Sequence, residues 1–78
     1  MNIPRRIAAL KREIRYGQDE IERIAVLREA KEEAVIAFPH FIGKYLADIR
    51  TDIADRESEI RKLQDQQSSL AKNPHITP

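Results

Sequence analysis

Apolar residues recur along this chain at alternating steps of four and three. Ile3, Ile7, Leu10, Ile14, Ile21 and Ile24 fall on one such series, with Gly17 in its one vacant slot. Ile42, Leu46, Ile49, Ile53, Arg56, Ile60, Leu63, Gln67 and Leu70 form a second series without a slip. That spacing keeps one face of an α-helix apolar and is the pattern of a heptad seam. Two long helices are therefore expected, in an all-α fold.

Local signals place the ends. Asn2 is a reasonable N-cap for a helix beginning near Ile3, and Pro4 sits in the first turn, where its missing N–H costs nothing. Pro39 stops that helix, because residue 38 is pushed out of the helical region and the proline ring clashes within a helix interior. The same proline can serve as an early residue of the next helix. The reading is a first helix over about 3–37, a turn over 38–41 and a second helix over about 41–71. Residues 1–72 then form one domain, and Asn73-Pro74 opens a tail over 73–78 expected to be disordered.

A turn near Pro39 folds the two seams onto each other as an antiparallel helical hairpin. Partners then have residue numbers adding to about 77, which puts Ile7 opposite Leu70, Ile14 opposite Leu63, Gly17 opposite Ile60 and Ile21 opposite Arg56. Two other organisations are open. Gly17 could end a short first helix, with Asp19 capping a new one, or the chain could remain a single kinked helix within an oligomer.

Beyond the seams, apolar surface is uneven. The segment from Ile24 to Phe38, and the facing run from Phe41 to Ala54, spread apolar residues over more than one helix face. A two-helix hairpin cannot cover those extra faces, because each helix has only one neighbour. The expectation is a dimeric four-helix bundle or coiled coil whose oligomer core is this turn-proximal half. Phe38, Phe41 and Tyr45 are the candidate partner-binding residues, since aromatic anchors dominate interface energetics.

Composition strengthens that picture. At 78 residues the chain is too small to bury a large core, and with no cysteine it has neither disulfides nor thiolate metal sites to compensate. A second copy or a partner is the remaining source of burial. The residues are 41% hydrophobic and 35% charged, as in long helices and coiled coils. No apolar run approaches a membrane span, and a cytoplasmic location is the default expectation.

Charge adds a second candidate surface. The net charge is +1, but Arg5, Arg6, Lys11, Arg12 and Arg15 are opposed only by Glu13 in residues 1–16. This basic arm is the candidate site if the chain binds nucleic acid or another polyanion. Arg5 and Arg6 at a helix N-terminus also oppose the macrodipole, which points to an acidic neighbour such as Asp65. Arg56 on the seam reads as a polar residue fixing register, with Glu20, Glu22 and Asp55 as its available counter-ions. Its alternative role is to hold an anionic ligand between subunits.

Motifs for chemistry are missing. The chain has no glycine-rich phosphate loop, no HExxH and no Ser/His/Asp grouping, and His40 and His75 are isolated from one another. No catalytic, metal-binding or cofactor-binding residue is assigned. The expected function is that of a non-enzymatic protein–protein interaction module, such as a small adaptor, chaperone or inhibitor.

Overall fold

The computed structural model describes residues 2–72, with side chains to residue 70. The tail expected over 73–78 lies outside the described residues. Three helices follow in order: α1 (Ile3–Glu29), α2 (Glu33–Ala37) and α3 (Pro39–Lys72). The described residues are all-α, and the two long helices lie against each other.

The start of α1 is the one its sequence implies. Asn2 has extended backbone, and its Oδ1 accepts the Arg5 N–H at 2.9 Å. From there α1 runs through Gly17 without a break, so the glycine does not divide the helix. Its role is close approach. A Cβ built at Gly17 would come within 3.0 Å of the Ile53 side chain and 3.3 Å of Ile49. Ile53, not Ile60, is thus the residue that faces it.

The far end of α1 departs from the sequence reading, which carried the helix to residue 37. The helix stops at Glu29. Lys31 adopts φ 57, in the left-handed region. Its N–H donates to the Arg28 carbonyl and the Glu32 N–H to the Leu27 carbonyl, each at 3.0 Å. These are the two reversed bonds of a Schellman cap, built here with lysine at the position glycine usually fills. Glu32 then accepts from the Val35 and Ile36 amides, opening the five-residue α2. Phe38, preceding proline, breaks out of helical geometry, and Pro39 becomes the first residue of α3.

This early stop shifts the register. Arg6 meets Glu59 and Glu20 meets Tyr45, pairs that sum to 65, while Glu13 meets Arg56, summing to 69. These ion-pair and hydrogen-bond sums fall 8 to 12 short of the expected 77, and the Gly17–Ile53 contact on the seam falls 7 short, a slide of about one heptad whose cause is plain. The connection is centred near residue 34, not at Pro39. A seven-residue slide returns the same helix faces to contact, so the seams still match.

Packing follows in two clusters. Ile7, Leu10, Ile14, Ile60 and Leu63 form one, with Ile3 and Ile53 against it. Ile24, Val35 and Leu46 form the other, flanked by Ile21, Leu27 and Ile42. Val35 belongs to α2, which closes the end of the seam with a residue the heptad pattern did not include. Leu70, expected opposite Ile7, is left 67% exposed because the shifted register takes α3 past the start of α1.

Three substitutions test this description. Leu10, 1% exposed, should lose about 2–5 kcal/mol of stability on change to Ala. Leu70→Ala should stay within about 0.5 kcal/mol. Urea denaturation followed by circular dichroism distinguishes them, and the register reading fails if the two cost the same. Lys31→Gly should raise stability by about 0.5–1 kcal/mol, because the left-handed cost of a side chain is removed. The same denaturation measurement would show a loss if Lys31 were not left-handed.

Candidate functional site

Seven large hydrophobic side chains among the described residues are exposed: Tyr16, Val26, Ile36, Phe38, Phe41, Tyr45 and Leu70. Five of them lie between residues 26 and 45, so the apolar surface left open is concentrated at the end where the chain turns. Each element there contributes for a local reason. Val26 sits one turn before the cap of α1, on the side away from the seam. In α2, burial of Val35 turns its neighbour Ile36 outward, and Ile36 is 53% exposed. Phe38 occupies the break before Pro39 and is 62% exposed. Phe41 and Tyr45 are one turn apart on α3 and stack, with ring centroids 6.5 Å apart and planes inclined by 7°.

Phe41 and Tyr45 also line a surface groove of about 280 Å³, with Leu27, Ala34, Val35 and Ile42 on its other walls. Two of the predicted partner-binding residues therefore share one groove. Phe38 is close in sequence but does not line it. Phe41 is the more open ring, at 70% exposure against 37% for Tyr45.

Tyr45 is held by a polar network that the sequence reading did not find. Its hydroxyl donates to Glu20 Oε2 at 2.7 Å, and Arg23 donates to the other oxygen of the same carboxylate. The Arg23 hydrogen bond, followed by that of Tyr45, pulls the Glu20 carboxyl below its ordinary value. The hydrogen bond to Glu20 raises the Tyr45 phenol above its ordinary 10.0, with burial adding to the effect. Both rings are thereby oriented: Tyr45 by its anchor across the helices, Phe41 by stacking on Tyr45.

The basic arm is not one surface. Arg6 donates from Nε to Glu59 Oε2 at 2.9 Å and from Nη2 to Oε1 at 3.3 Å. This two-pronged contact raises the Arg6 pKa and lowers that of Glu59, in each case mainly through the hydrogen bond. Glu59 is therefore the acidic neighbour that the helix start called for, in place of Asp65. Arg5, Lys11, Arg12 and Arg15 are exposed, and helical spacing puts them on the side away from Arg6.

Arg56 is half-buried at the seam edge. It donates from Nε to Glu13 Oε2 at 2.8 Å and from Nη1 to the Asp52 carbonyl at 3.1 Å. The expected counter-ions Glu20, Glu22 and Asp55 are not its partners, because the heptad shift brings Glu13 opposite instead. The adjoining cleft, between Gly17, Ile49 and Ile53, holds about 130 Å³. That is well below the roughly 300 Å³ at which ligand pockets begin.

Among the described residues no group of three or more His, Cys, Asp or Glu side chains is placed to hold a metal ion. Nor is any helix there long and apolar enough to cross a membrane. The chain matches no protein-family model, no curated protein and no solved structure.

The Tyr45 anchor has a pH signature. A raised phenol pKa stabilises the fold below the unfolded tyrosine's value near 10, and that contribution is lost as pH rises through the folded value. The lowered Glu20 works the other way. Its contribution is present above the unfolded carboxylate's pKa and is lost as pH falls through the folded one. In a Tyr16→Phe background, ultraviolet titration of Tyr45 should give a midpoint above 10 that Glu20→Ala brings down. An unchanged midpoint would mean that the hydrogen bond does not hold the ring.

Proposed function

We propose that this chain is a non-enzymatic protein–protein interaction module. In this reading it is an antiparallel helical hairpin that presents its turn end to a partner protein, as a small adaptor, chaperone or inhibitor does, and assembles with a second copy of itself. The observation that carries the reading is the clustering of exposed Val26, Ile36, Phe38, Phe41 and Tyr45 at that end. Exposed apolar side chains concentrated at one end of a small protein are characteristic of interaction sites. Orientation of the Phe41–Tyr45 pair by Glu20 adds to it, since a ring fixed before binding loses less freedom on docking.

Phe41 is the residue on which the reading depends most, being open, aromatic and at the groove's edge. A second reading, binding of a polyanion by the basic arm, draws on the exposure of Arg5, Lys11, Arg12 and Arg15. It is the secondary one because Arg6 is engaged by Glu59. No ligand role is proposed for Arg56, whose guanidinium is committed to Glu13 and Asp52.

The test compares proteins retained from cell extract by the native chain, by Phe41→Ala and by Leu70→Ala. A partner held by the native chain and Leu70→Ala should lose about 2 kcal/mol of binding, roughly thirty-fold, with Phe41→Ala. Helix content by circular dichroism should stay unchanged throughout. Equal retention by all three chains would remove the turn end as the docking surface.

A further inference from the structure

The outward side of α1 carries another three-four series, one that the contact with α3 does not use. Arg5, Arg12 and Arg15 occupy its first half and Asp19, Glu22 and Glu29 its second. Ala8 and Val26 complete the spacing, one in each half. All eight positions are exposed. None of the six charged residues takes part in the ion pairs among the described residues, which join Arg6 to Glu59, Arg23 to Glu20 and Arg56 to Glu13.

The series is self-complementary. Turned end for end about Gly17, it returns onto itself with every charge opposed. Arg15 meets Asp19, Arg12 meets Glu22, Arg5 meets Glu29, and the small Ala8 meets Val26. We infer that α1 pairs through this stripe with α1 of a second copy, antiparallel, about a twofold axis at the level of Gly17.

A twofold contact uses the same patch on both copies, so each ion pair is made twice. The charge order also fixes the direction. Parallel pairing would set base on base and acid on acid, which like-charge repulsion opposes. The paired stretch runs from residue 5 to residue 29, about 36 Å of helix at roughly 1.5 Å per residue. Little apolar surface is enclosed, and exposed ion pairs are individually weak and screened by salt. The association is accordingly reversible and sensitive to ionic strength.

This inference rests on the self-association in the proposed function but moves it away from the turn-end aromatics, and it takes Val26 out of the surface left for a partner. Phe38, Phe41 and Tyr45 of the two copies would then lie at opposite ends of the dimer, leaving two docking surfaces open. The competing occupant of the basic half, a polyanion, would leave the acidic half unmatched.

Sedimentation of the full chain at about 0.05 and 0.5 M salt is the test. The expected result is a dimer at low salt whose dissociation constant rises at least about tenfold at high salt. Arg12→Glu with Arg15→Glu should give a monomer of unchanged helicity. Adding Asp19→Arg and Glu22→Arg to that same chain should restore the dimer, since antiparallel pairing would again oppose unlike charges. A dimer indifferent to both reversals, or a monomer at both salts, would overturn the inference. A dimer dispersed by Phe41→Ala and not by charge reversal would place self-association at the turn end. That outcome also overturns the inference but leaves the interaction reading standing.

Discussion

Two rows of isoleucine and leucine, one on each long helix, hold this molecule together, and every other feature takes its position from the way they meet. The rows are narrow. Their buried members number seven among the described residues, and no polar or charged side chain is buried there. The fully buried part of the seam is apolar and has no hydrogen bond inside it to favour one alignment. The place where the chain bends selects the alignment, and the margins fit it: the Arg6–Glu59 and Glu13–Arg56 pairs, the Tyr45–Glu20 bond, and the hollow at Gly17 that receives Ile53.

That division explains what could be read from the sequence. The helices and their inward faces were legible because a three-four spacing has one structural meaning, and the chain repeats it over most of its length. Eight of the nine positions read along the second series are buried or half-buried, Leu70 being the exception. The register was not legible. A heptad pattern looks the same to itself after a slide of seven residues, so the seams alone cannot choose between Ile7 opposite Leu70 and Ile7 beside Leu63. The length of the connection decides, and that length depends on Lys31. A lysine at a left-handed helix end carries no glycine-like signal, whereas Pro39 is conspicuous, and the stop was accordingly placed too late.

The candidate site divides along the same line. Phe38, Phe41 and Tyr45 were readable as aromatics in excess of what one helix pair can cover, and all three are exposed. Their supports were not. The Glu20–Arg23 grip on Tyr45 spans 25 residues of sequence, and Glu59 reaches Arg6 across 53. Each such contact exists only in the observed register. An error of one heptad in alignment leaves the exposed residues correctly named and every cross-helix partner wrong, Arg56 included.

The left-handed Lys31 makes the bend dependent on the helices it joins. A residue with a Cβ holds that conformation at a cost of roughly 1–2 kcal/mol. In an unfolded chain the bend is therefore sparsely populated and does not act as a preformed template that brings the helices together. The bend is held in place by the packing of Ile24, Val35 and Leu46 beside it. A bend whose local conformation is costly depends for its population on the packing that surrounds it.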